Sequence, residues 1–206
     1  MKYELPKQIN LETSYQKAAE LLRTMDINTV IAKTGAEKIK DGVRLTYFDE
    51  EIVIKLPEAV FTGAKIPIIE QILVLHYLTG DGGHPCSGAL VKFKNLPGGS
   101  FYQSAYRKRG PNLILRLFGN DPKKLIPAGK AIGGEESSYG DASVTLRILP
   151  KITADIVLYA GDEEFPPDAA ILHPDSIINF LTLEDIALLA GMIYKRLKAH
   201  SLKSSG

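Results

Sequence analysis

One cysteine, Cys86, is all the thiol chemistry this chain holds. That excludes an internal disulfide, a four-cysteine iron–sulphur site and a cysteine-rich zinc site within one chain, and it fits a reducing compartment. Charge of one sign is lacking as well: 25 Lys+Arg stand against 24 Asp+Glu, a formal net charge of +1. A protein that tracks a phosphate backbone carries a basic footprint, so no nucleic-acid partner is expected. Long apolar runs are missing too. The longest, residues 66–78, is interrupted by Glu70, Gln71 and His76 and falls short of the roughly 20 residues that span a bilayer. It reads as a buried helix, and no membrane partner is expected. The opening MKYELP turns polar at once, without the apolar core of a secretory leader, so the expected location is cytoplasmic.

What is present describes an ordinary globular protein: 206 residues, 45% hydrophobic and 24% charged. A chain of this length buries on the order of 70% of its unfolded surface, enough for one core without staples, so residues 1–206 are taken as a single domain. Leu11, Tyr15, Ala18, Ala19 and Leu22 form one stripe of a 3.6-residue period, which predicts a helix over 11–25. Period-two alternation over 43–48 and 51–56 predicts a hairpin turning at Asp49-Glu50, and Pro57 closes the run. A helix over 66–79 ends at the glycines of GDGG. Further on, 99–109 and 112–118 read as helices parted by Gly110-Pro111, 143–149 and 152–159 as a second strand pair, and 183–197 as a final helix. Residues 87–93 add a candidate strand. The fold class is α+β, a largely antiparallel or mixed sheet covered by helices. Helix, hairpin, helix occurs twice, which suggests two pseudo-repeats, 10–80 and 99–199.

Two clusters carry candidate chemistry. In NLPGGSFY, a glycine pair between strand and helix lets backbone N–H groups approach an anion, and Arg107-Lys-Arg109 supplies guanidinium groups for phosphate or carboxylate. Gly98, Gly99, Tyr102, Arg107 and Arg109 are therefore the candidate ligand-binding residues, although a Pro-Gly-Gly turn is also an ordinary connector. In GDEEFPPD, adjacent carboxylates repel unless a cation compensates them. In an extended segment Asp162 and Glu164 share one side, so with His173 they are the candidate metal ligands. The same loop also reads as a solvated acidic run, or as a carboxylate latch to the Arg107/Arg109 region.

Other residues read as structural. His76, beside Ile72 and Leu73 in the apolar helix, suits a hydrogen-bonded neutral imidazole. His84 and Cys86 give two ligands of an incomplete metal site. Thr182 and Asp185 form a capping arrangement ahead of the last helix, and Gly191 within it implies close approach of another element. Gly129, Gly133, Gly134 and Gly140 mark a long loop. The glycine turns match neither a P-loop nor a dinucleotide fingerprint.

Taken in order, LHYL (75–78), SGALVKFKNLPGGSFYQSAYRKR (87–109), FGNDPKKL (118–125), the glycines of 133–141 and GDEEFPPDAAIL (161–172) resemble an uncharacterised-domain family of anaerobic bacteria and archaea. The resemblance spans about residues 10–197. Some members of that family look like fusions with a small cysteine-rich iron–sulphur module, which this chain lacks. The resemblance implies an anaerobic, cytoplasmic setting near metallo-cofactor or corrinoid metabolism and supplies no catalytic residue.

Binding chemistry without a nucleophile–base pair points first to a non-catalytic accessory protein that holds a small anionic or metal-containing ligand between the two halves. A divalent-metal-dependent hydrolase or phosphoryl-transfer enzyme built on the GDEEFPP carboxylates is the alternative, and a protein-interaction scaffold is a third reading. No cofactor is identified by the sequence, and no oligomeric state is fixed by it.

Overall fold

A computed structural model describes residues 11–201; the polar opening and both ends of the expected 1–206 domain lie outside these residues. Helix α1 (Leu11–Thr24) buries its predicted stripe through Ala18, Ala19 and Leu22. A second helix not read from the sequence, α2 (Ile27–Thr34), follows directly. Its ends are both marked in the chain: the Thr29 N–H donates to the Asp26 carboxylate at 2.9 Å, and Gly35 closes it in the left-handed region at φ 72°.

The first hairpin is the centre of an antiparallel meander, β1 (Glu37–Ile39), β2 (Gly42–Tyr47), β3 (Glu50–Lys55) and β4 (Val60–Gly63). Tyr47 pairs with Glu50, so the turn is Phe48-Asp49, one residue earlier than the alternation predicts. Burial explains the shift. Phe48 takes φ 55° yet is only 4% exposed, its ring edge-on to Tyr47 at 5.0 Å with the Arg196 guanidinium 4.1 Å from its centre. Those contacts offset the cost of left-handed backbone at a bulky residue. The Phe48 N–H donates to the Ile148 carbonyl at 2.8 Å and so ties this sheet to the second one.

Helix α3 (Ile68–Thr79) is buried nearly all round, as its composition predicts, with Pro67 standing just ahead of it. Its Glu70 is buried because Arg196 answers it at 2.6 Å. The candidate strand at 87–93 shrinks to β5 (Leu90–Lys92), followed by a tight turn at Phe93–Asn95. Helices α4 (Gly99–Arg109), α5 (Pro111–Phe118) and α6 (Leu125–Lys130) come next. The remaining strands are β6 (Glu135–Ser137), β7 (Ala142–Leu149), β8 (Ile152–Tyr159) and β9 (Asp168–Pro174). A 3-10 turn at Asp175–Asn179 leads to α7 (Leu183–Ser201).

The long loop expected between the glycines at 129 and 140 is interrupted by the end of α6 and by β6, with turns and bends between and after them. A Cβ on Gly129 would lie 2.8 Å from the Val144 methyls, so glycine there lets α6 lie flat on β7. Close approach accounts for Gly110 beside α7, where a Cβ would stand 2.6 Å from that of Ala190; at Gly191, where it was expected, a Cβ would meet the Arg109 carbonyl only at an ordinary 3.5 Å.

The fold is α+β, but the single sheet expected is two, each fully antiparallel. The second runs β5-β9-β8-β7-β6. One continuous apolar core joins them, from Leu22 and Val43 through Leu75 to Ile156 and Leu189. Helices, antiparallel strands and a closing helix recur in each half, while the strand orders differ: consecutive in the first sheet, with β5 beside β9 in the second.

Candidate functional site

The expected anion site divides along α4. Gly98 turns the chain at φ 77°, and Gly99 lies against the Phe93 carbonyl, where a Cβ would stand 2.0 Å from the oxygen. Gly99 is thus required by a close backbone crossing and Gly98 by its left-handed turn. Tyr102 is exposed on the first turns of the helix. Arg107 sits about 12 Å along the axis from Gly99 at 1.5 Å per residue. Its Nη2 donates to Asp168 at 2.6 Å and its Nε to Asn112 at 3.1 Å. This is the latch between α4 and the GDEEFPP segment, made by Arg107 and Asp168; Arg109 is exposed. Arg107 lines an open groove of about 730 Å³ with Lys92, Tyr159, Asp162 and Phe165. Gly98, Gly99 and Tyr102 are not part of its lining.

The expected metal ligands are also brought to different places. Asp162 accepts the N–H groups of Glu164 at 2.9 Å and Phe165 at 2.7 Å, folding the loop into an exposed turn. Glu164 is exposed beside it. His173 lies five residues along β9 from Asp168, about 17 Å for an extended strand, and is wholly buried. Its Nε2 shares a hydrogen bond with the Tyr106 hydroxyl at 3.3 Å. Burial pushes the imidazole down to about 4, with the Thr153 carbonyl opposing part of that shift. Among the described residues, no group of three or more His, Cys, Asp and Glu is placed to hold a metal ion.

A different constellation forms where the two halves of the chain meet. At the C-terminal end of α3, His76 turns its Nδ1–H to the Asp185 carboxylate on α7, 2.9 Å away. Asp185 is 4% exposed and fully engaged. Its second oxygen accepts the Thr182 N–H at 3.1 Å and hydroxyl at 2.7 Å, while the Asp185 N–H donates back to Thr182 at 3.2 Å. The capping arrangement read from the sequence is present and also orients the histidine. The hydrogen bond to Asp185, with its negative charge, raises the His76 pKa against the opposing effect of burial. The His76 side chain is 37% exposed, and its Nε2 has no partner among the described residues. It lines a cavity of about 380 Å³ walled by Pro97, Ile178, Phe180, Leu181 and Leu183.

His84 lines the same cavity. It belongs to residues 80–88, which have no regular secondary structure but are fixed from the turn after β9. The Asn179 side chain accepts the His84 N–H at 2.8 Å and donates to the His84 carbonyl at 3.2 Å. Asp175 accepts from the N–H groups of Ser87 at 2.5 Å and Gly88 at 3.1 Å, which holds its carboxyl below the usual carboxylate range. A loop satisfied in this way presents His84 and Cys86 from a set position.

An imidazole steered by a buried carboxylate, opening on a mostly apolar hollow between two antiparallel sheets' helices, defines a small α+β protein with a ligand cavity. The chain belongs to the family of the domain of unknown function DUF3786, whose model matches residues 26–196. The resemblance to an uncharacterised-domain family thus stands as membership over that span. No curated protein and no solved structure matches the chain. No helix among the described residues is long and apolar enough to cross a membrane.

Proposed function

We propose that this chain is a non-catalytic accessory protein that binds a small metal-containing ligand in the His76 cavity, within the anaerobic, cytoplasmic metabolism implied by the resemblance. One observation carries the reading: Nδ1 of His76 is tied to a buried carboxylate, while the ring lines the cavity and its other nitrogen has no partner among the described residues. Histidines that ligate metals are held in this way, because the second hydrogen bond fixes the tautomer and makes the free nitrogen a better donor. A single imidazole holds a bare divalent ion poorly. It suffices for a metal complex that brings its own remaining donors and needs one axial ligand. The apolar walls from Pro97, Phe180, Leu181 and Leu183 suit the flat organic frame of such a complex.

The test is an oxygen-free absorption titration with ferric protoporphyrin and with a cobalt corrinoid, run on the wild-type chain and on His76→Ala. The expected result is a ligation-dependent spectral shift with at least one probe, accompanied by a rise in Tm, and its loss in the variant. A ligand at 100 times its Kd stabilises the fold by about 2.7 kcal/mol, well within reach of a thermal scan. Absence of any shift, or an equal shift in His76→Ala, overturns the reading.

A further inference from the structure

On the far side of residues 80–84 lies a second hollow of about 490 Å³, which shares Asp81 and Phe180 with the His76 cavity. Its rim carries Lys33 from α2 and Lys151 from the β7–β8 turn, with Ser176, Asn179, Gly82 and Gly83. The two lysines are brought together by packing. Lys33 donates to the Gly80 carbonyl, and the Lys151 stem crosses Gly35, coming within 3.4 Å of where a Cβ there would stand. Neither ammonium makes an ion pair with a carboxylate among the described residues. Gly82 and Gly83 hold positive φ, 70° and 88°, with open space where side chains would be. Two cations face this hollow beside a single carboxylate, Asp81, and close backbone approach is unobstructed.

We propose that this second hollow is an anion subsite, in which Lys33 and Lys151 hold a carboxylate or phosphate group carried by the ligand seated at His76. The proposal rests on the reading of the His76 cavity as a ligand site. It accounts for the glycines and for the pinning of the strip between the two hollows: a ligand spanning both would lie across residues 80–84, where Gly82 and Gly83 leave open space and the backbone is held by Asn179. Lysine is suited to such a group as a mobile point charge.

The experiment compares ferric protoporphyrin, which carries two carboxylates, with its dimethyl ester on the wild-type chain and on Lys33→Gln/Lys151→Gln. Inorganic pyrophosphate is titrated in parallel, by thermal shift, on those two chains and on His76→Ala. Both lysines lie at the surface or half-buried, so the double variant keeps the core intact. The expected outcome is that the diacid binds at least tenfold more tightly than the ester. The lysine double variant removes that preference while leaving ester binding unchanged. Pyrophosphate binding is lost in the double variant and retained in His76→Ala. If the porphyrins fail to bind at all, the reading of the His76 cavity falls and pyrophosphate alone judges the subsite. If the lysine substitutions change neither the acid-over-ester preference nor pyrophosphate binding, the subsite is overturned.

Discussion

His76 and His173 carry the same side chain into opposite surroundings. The first stands at the rim of a cavity with a carboxylate on one nitrogen and an open face on the other, and its pKa rises. The second is sealed between β9 and α4, hydrogen-bonded to one phenol, and is pushed down to about 4. Tyr106, its partner, is itself stacked on Phe93 at 4.0 Å and nearly parallel. The difference teaches that residue type is a poor guide to a site: what separates a candidate ligand from a core residue is the group on the other nitrogen and the access left to the first.

The comparison breaks most visibly in acid. A histidine with a depressed folded pKa is neutral in the fold while the unfolded chain takes up a proton. His173 therefore contributes stability that is full above about pH 6.5 and drains away as the pH falls toward 4, a loss of about 3 kcal/mol by pH 4. Urea unfolding of the wild-type chain against His173→Leu/Tyr106→Phe across that range should show this steeper fall in the wild type alone.

Asp185→Asn sharpens the other side. The capping geometry survives in part, while His76 loses its anchor. The affinity for a metal complex should fall 10–100-fold, and NMR titration should find the His76 pKa lower than in the wild type. A smaller effect tests pairing in the core. Tyr106→Phe should cost about 1 kcal/mol, and His173→Leu alone should cost more than the double variant, because it leaves a buried phenol unanswered. The smallest effect is the mirror of the first. His76, with its raised pKa, contributes stability that is present below about pH 6.5 and fades as the pH climbs through its folded value. His76→Gln should flatten that gentle alkaline decline without touching the acid limb.

Much of the architecture was legible because it is written in local periodicity: the stripe of α1, the alternation of β2 and β3, the Thr182 cap of α7. The flanking strands β1 and β4 were not, since EKI and VFTG are short, polar or mixed, and gain their place only by pairing with β2 and β3. The site was harder. His76 and Asp185 are 109 residues apart and meet only when α3 packs near α7; each taken alone has an adequate local explanation, as core imidazole and as helix cap. Two signals were available in hindsight, the polar break in an otherwise apolar α3 and an aspartate with one oxygen more than its cap needs. The glycine pair of NLPGGSFY pointed the other way, because a glycine that admits a ligand and one that admits a neighbouring carbonyl look alike in one dimension.

The bond from Phe48 to Ile148 has a last implication. A two-residue hairpin tip is normally free to vary, yet this one must offer an amide to a foreign sheet, fill a hole beside Tyr47 and bear the flat face of a guanidinium from α7. Its identity is thus answerable to both halves at once, and neither half could be swapped for a substitute fold without rewriting that tip.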